Sequence, residues 1–130
     1  MRELTDHKLN GLNEALEIRV LDEPGDGGAH HLYEVEWPDC VVDPPGAGHQ
    51  GGHECYIKFQ KGPIKEAGTN GLSNESLIAI VMDRLRCFQA GAFACSENAL
   101  ALTKLEESLM WLQKRTRDRM ARGVEGTSVK

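Results

Sequence analysis

The sequence predicts an α+β fold, a small N-terminal antiparallel β-sheet followed by a C-terminal antiparallel two-helix hairpin that assembles into an oligomer. Three observations predict its two textures. Residues 1 to about 72 hold all five prolines, all five histidines and most of the 14 glycines. Three short stretches inside that portion alternate apolar and polar residues at the period of a strand. Residues 73–123 contain no proline, and Gly91 is their one internal glycine. Their apolar residues recur at helical spacing.

Taken in order, "ALEIRVLD" and "HLYEVEW" read as two strands rich in β-branched and aromatic residues. The Gly-rich "EPGDGGAH" between them reads as the loop of a hairpin. In "ECYIKFQ", Cys55, Ile57 and Phe59 fall on one face, and Tyr56, Lys58 and Gln60 on the other, which suits a third strand. The intervening "PDCVVDPPGAGHQGGH" is expected to be a loop, because Pro44-Pro45 and its glycines forbid a central strand. Ser73 or Asn74 can cap a helix over "NESLIAIVMDRLRCFQA", with Leu77, Ile80, Val81, Leu85 and Phe88 as its apolar stripe and Gly91 as its stop. Ser96 is expected to cap a longer helix running to about Arg122, with Gly123 at its C-cap. Its stripe is Leu102, Leu105, Leu109, Leu112, Thr116 and Met120. The division is thus 1–72 for the β portion, 73–123 for the helical hairpin and 124–130 for a polar tail.

Composition limits what the chain can do. At 130 residues it is long enough for one domain with a modest core, which self-association would enlarge. A formal net charge of −5 argues against a general nucleic-acid coat. The N-terminal "MRELTDHKLNGLNEALE" lacks the apolar segment of a signal peptide, and "LIAIVM" is far too short to cross a bilayer. The four cysteines lack the spacing of a disulfide scaffold, so reduced thiols and a cytosolic setting are expected.

The cations gather at one place, "MWLQKRTRDRMARGVEGT". Arg115 and Arg119 are four residues apart, so on a helix they lie one above the other at the edge of the leucine stripe, and Arg122 continues that side. Two guanidinium forks there suit a phosphate or diphosphate. The plainer alternative is favourable contact with the helix dipole, which serves for Lys114 and Arg117. Asn98 shares the sector of Leu102 and Leu105, as a buried amide in need of partners or as a cap. Asn98 and Arg115 are 17 residues apart, about 25 Å of helix at ~1.5 Å per residue. One chain cannot bring both onto one small ligand, whereas two antiparallel chains can. Phe88 is expected close to Asn98 across the turn, as core or as a platform for a base. Trp111 lies off the leucine stripe, as a subunit contact or packed under the β portion.

The motifs "DRLRCFQAG", "CSENALAL" and "KRTRDRMARGVEGT" resemble the helical hairpin shared by two phage anti-defence sponges: the Thoeris anti-defence protein of the first type and the anti-CBASS cyclic-nucleotide sponge. The resemblance covers about the C-terminal 55 residues. The Gly-rich β portion is similar to the Thoeris branch. What the resemblance implies is sequestration without catalysis and without a cofactor. The ligand it implies is glyco-cyclic ADP-ribose, the signal made by TIR-domain enzymes, with cyclic di- or trinucleotides held by some members at separate sites. It further implies a homo-oligomer, from dimer up to hexamer, with pockets between subunits, acting in the cytoplasm of the infected bacterium. The family's signal-binding positions fall on Phe88 for the adenine, Asn98 for a ribose or base edge, and Arg115 and Arg119 for the diphosphate. Gly91 and Arg122 are candidates for a second, trinucleotide site.

Two rival readings remain. Cys40, His49, His53 and Cys55 lie close together, and His49-x3-His53 has a zinc-like interval, but the whole pattern matches no standard finger. Lys114, Arg115, Arg117, Arg119 and Arg122 would serve a nucleic-acid binder, against which the acidic total and scarce aromatics weigh. His30-His31 and the scattered carboxylates form no acid–base constellation.

Overall fold

The computed structural model describes residues 1–39 and 52–130. The chain divides into two compact units, Met1–Lys61 and Gly62–Lys130. The first is a four-stranded antiparallel meander of β1 (Arg2–Leu4), β2 (Glu17–Val20), β3 (Leu32–Pro38) and β4 (Gly52–Lys58), in that spatial order, with a short helix α1 (Gly11–Ala15) between β1 and β2. The second holds a single turn α2 (Ile64–Ala67), then α3 (Asn74–Gln89) and α4 (Ser96–Ala121), which pack against each other as a hairpin. A four-stranded sheet followed by a helical hairpin is the α+β arrangement expected from the sequence, with one strand more.

Strand period decides the sheet's two faces. Ile18 stands beside Val35 and Cys55, and Val20 beside Tyr33 and Ile57, so one face is apolar. Val20 is fully buried there, and Tyr33 meets Phe59 edge-on at 5.6 Å. The opposite face is charged. Arg19 bridges Glu34 at 2.8 Å and Glu36 at 2.6 Å. The β2–β3 loop is closed by Asp22, whose carboxylate accepts the backbone N–H of His31 at 2.9 Å and of Leu32 at 3.2 Å. Lost hydration works against charge on Asp22, but those N–H groups outweigh it and hold its pKa below the ordinary 3.8.

Ser73 caps α3. Its hydroxyl accepts from the Ser76 N–H and the Ser76 hydroxyl accepts from the Ser73 N–H, both at 3.1 Å. Of the expected stripe of α3, Leu77 and Leu85 are covered, in company with Ile78, Met82 and Gln89, and Met82 is the buried member. Ile80, Val81 and Phe88, expected to be covered, are exposed. The helix carries two apolar stripes, and periodicity alone does not say which one a neighbour covers. The Gln89 amide closes the hairpin turn. It donates to the Cys95 carbonyl at 3.1 Å and accepts the Cys95 N–H at 3.0 Å. Ala90 is the C-cap of α3, with Gly91 the residue after it.

The N-cap of α4 is Cys95, not Ser96. The Cys95 sulfur accepts from the Asn98 N–H at 3.4 Å, while Ser96 is already helical and its hydroxyl turns to Glu97. Along α4, Leu102, Leu105, Leu109, Leu112 and Thr116 are half-buried as expected. The last place in that stripe belongs to Arg119, because Met120 points to solvent. Gly123 ends the helix at φ +72°, where its N–H bonds the Met120 carbonyl and the Val124 N–H bonds the Arg119 carbonyl, a Schellman motif.

Candidate functional site

The end of α4 forms a shallow groove of about 450 Å³ within the second unit. Trp111, Lys114, Arg115, Asp118 and Arg122 line it along one helix face at i, i+3, i+4, i+7 and i+11, together with Arg119 and Lys130. Four helix cations and one aromatic around an open groove can take a phosphate and give an adjoining ring a surface.

The cations differ in what they already hold. Lys114 pairs with Asp118 at 2.7 Å. Arg122 donates to the Lys130 carbonyl. Arg115 is exposed and has no hydrogen bond or ion pair among the described residues. Arg119 is the reverse case, with a side chain 13% exposed and turned onto residues 124–129. Arg117 does not line the groove. Trp111 is exposed and belongs to the groove wall. Of the residues picked from the sequence, the groove therefore joins Arg115, Arg119 and Arg122. It adds Trp111 and Lys114: Trp111 stands four residues before Arg115 and Lys114 three after Trp111, spacings that share a helix face, whereas Lys114 is expected from the sequence only to meet the helix dipole.

The remaining candidates stand at the other end of the hairpin. Phe88 is 43% exposed, and the Arg84 guanidinium sits 5.8 Å from its ring centre, a cation–π contact that leaves ring surface open. Asn98 is half-buried in the first turn of α4, and its side-chain amide has no hydrogen bond among the described residues. Gly91 lies between them in the turn, where a Cβ would make ordinary contact with the carbonyl oxygens of Cys87 at 3.7 Å and Phe88 at 3.9 Å. Asn98 and Arg115 both lie on α4, so the helix itself keeps them about 25 Å apart. One hairpin therefore carries two separate groups of candidate residues at opposite ends, an aromatic with an amide and a cationic groove.

Of the zinc-like set, Cys40 and His49 lie outside the described residues. His53 stacks on Trp37 at 5.8 Å and pairs with Asp39, while Cys55 is exposed. No helix among the described residues is long and apolar enough to cross a membrane.

Comparison with known proteins bears on the hairpin. A protein of Bacillus phage SBSphiJ7 named Thoeris anti-defense 1 is 60% identical over 74 residues, which make up 57% of this chain and 52% of that protein. The chain thus matches about half the length of that relative. Residues 52–117 match the family model described as Acb2/Tad1, hairpin domain. That segment runs from β4 to Arg117 within α4 and takes in Phe88, Asn98 and Arg115, with Arg119 and Arg122 just beyond it. Since the matched segment is half of the chain and takes in all of α3 and most of α4, the chain belongs to the Acb2/Tad1 hairpin-domain family.

Proposed function

We propose that this protein is a phage anti-defence sponge that captures a small cyclic nucleotide signal, glyco-cyclic ADP-ribose, in the cytoplasm of the infected bacterium and holds it without cleaving it. Phe88 receives the adenine, Asn98 a ribose or base edge, and the end of α4, where Arg115 and Arg119 stand, the diphosphate. Gly91 and Arg122 would belong to a second site for a cyclic di- or trinucleotide. The observation that carries this reading is the groove at the end of α4, in which Arg115 has a guanidinium without a partner among the described residues, beside the exposed ring of Trp111. Family membership and the name of the phage relative support the anti-defence role.

The pocket is proposed to lie between subunits. The helix keeps the two half-sites about 25 Å apart in one chain, so a second antiparallel copy must supply the complementary half. Exposed Ile80, Val81, Phe88 and Phe93, the last 77% exposed, leave the hairpin with apolar surface that a further copy would cover. A dimer is the smallest assembly that satisfies both conditions, and a hexamer would satisfy them repeatedly.

The test is direct. Purified protein is mixed with glyco-cyclic ADP-ribose, the unbound fraction is filtered off, and the protein is then heated. The filtrate should be depleted of signal, and the heated sample should return it chemically intact. A cleaved product would make the protein an enzyme and end the sponge reading.

A further inference from the structure

Four N–H groups of one arginine are spent on the chain's own tail. Arg119 donates from Nε to Glu125 at 3.0 Å, from Nη1 to the Val129 carbonyl at 2.8 Å, and from Nη2 to the carbonyls of Val124 at 2.9 Å and Thr127 at 3.1 Å. A guanidinium has five N–H donors, so a single one, on Nη1, is left. A two-pronged grip on a phosphate needs two neighbouring N–H groups along one edge of the fork. No edge of Arg119 offers that while the tail is in place. Arg115, one turn earlier on the same helix, has all its donors unspent among the described residues.

The tail is also shaped from its own side. Gly123 turns the chain back at φ +72°, and Gly126, at φ +80°, passes close over α2. The Gly126 carbonyl accepts the Lys65 N–H at 3.0 Å, and a Cβ at Gly126 would lie 3.1 Å from the Ile64 side chain. The Thr127 N–H bonds the Val124 carbonyl at 3.1 Å and closes the turn. Residues 124–129 are therefore a formed strap, held by Arg119 on one side and by α2 on the other.

We propose that Arg119 serves the anion groove as a positioning residue: it straps residues 124–129 across the end of α4 and leaves Arg115 as the arginine that grips the anion. The inference rests on the sequestration reading above and divides the labour of the two arginines within it. The strap leads into Lys130, which lines the groove with Arg119, keeps the Arg119 charge beside the anion, and leaves the ligand at most one hydrogen bond from Arg119.

Two measurements on the full-length chain test it: amide hydrogen exchange at Val124, Thr127 and Val129 without ligand, and titration with glyco-cyclic ADP-ribose. Arg119→Ala should raise exchange at those amides about tenfold or more, as local opening becomes easier, and should weaken binding. Arg115→Ala should weaken binding and leave exchange unchanged. Gly126→Ala changes no charge, and it should raise exchange and weaken binding together. Tighter binding by Gly126→Ala would overturn the proposal, because it would mean that the anion displaces the strap and takes Arg119 for itself. Unchanged exchange in Arg119→Ala would overturn it as well. Should the wild-type chain take up no signal, the sequestration reading fails, and the exchange measurement still upholds or overturns the strap by itself.

Discussion

Arg115→Ala separates binding from stability with one substitution. The Arg115 side chain is exposed and has no hydrogen bond or ion pair among the described residues, so removing it breaks nothing that holds the hairpin. Its stability cost should stay within about 0.5 kcal/mol, the range of ordinary surface changes. For binding, a hydrogen bond to a charged group contributes about 1.5–3 kcal/mol. At 1.4 kcal/mol for each factor of ten, affinity for glyco-cyclic ADP-ribose should fall about 10- to 150-fold. The open position of Arg115 and screening by salt favour the lower part of that range. Calorimetric titration at a fixed, modest salt concentration reads the loss, and a thermal melt reads the stability. Arg117→Ala is the control: it removes a neighbouring cation of α4 that does not line the groove. A change in affinity of about twofold or less in Arg115→Ala, the size of an indifferent surface substitution, would refute the reasoning. Equal losses in the two variants would refute it too, since the effect would then be net charge.

Other parts of the structure make their own predictions. Gly123→Ala puts a Cβ on a left-handed residue and should cost about 1–2 kcal/mol, seen as a lower melting temperature. Met82→Ala empties the buried position of the hairpin and should cost about 2–5 kcal/mol in chemical denaturation, with a smaller loss if the site collapses around it. Ile80→Glu charges the uncovered stripe of α3. It should leave the helical circular dichroism intact and shift the sedimenting species from an oligomer towards the monomer. Asp22 has a lowered folded pKa, so its stabilisation is complete above its unfolded value and is lost as pH falls through the folded one. An acid titration of stability should therefore show a loss below about pH 4 that Asp22→Asn reduces.

Much of the architecture could be read in the sequence because local signals agreed with one another. Ser73 and Asn74 stand ahead of an apolar run as possible caps, and it is Ser73 that caps α3, with Ser76 completing the box. The β2–β3 hairpin and β4 follow from strand alternation that the neighbouring strands then complete. β1 escaped notice because "REL" is too short to show a period, and it becomes a strand only by pairing with β2. Ser96 is the better capping residue by type, yet Cys95 takes the place because the Gln89 amide pins its backbone from across the turn. A contact between helices of that kind leaves no mark in local sequence.

The candidate site divides along the same line. The i, i+4 spacing of Arg115 and Arg119 put both at one helix end, and both line the groove there. Spacing could not tell that Arg119 would turn inward onto the tail while Arg115 stayed open, because that depends on where Val124, Thr127 and Val129 aim their carbonyls. Nor did residues 124–129 look structured as a sequence: "VEGTSV" has the composition of a loop, and its order comes from two left-handed glycines and one arginine.

Native mass spectrometry of the protein mixed with glyco-cyclic ADP-ribose tests the central claim most directly, since one spectrum reports assembly, occupancy and the mass of what is bound. The account predicts an oligomer that carries the signal at its unaltered mass, with no ligand on any monomer. A monomer loaded with signal, or an oligomer carrying a cleaved product, would contradict it.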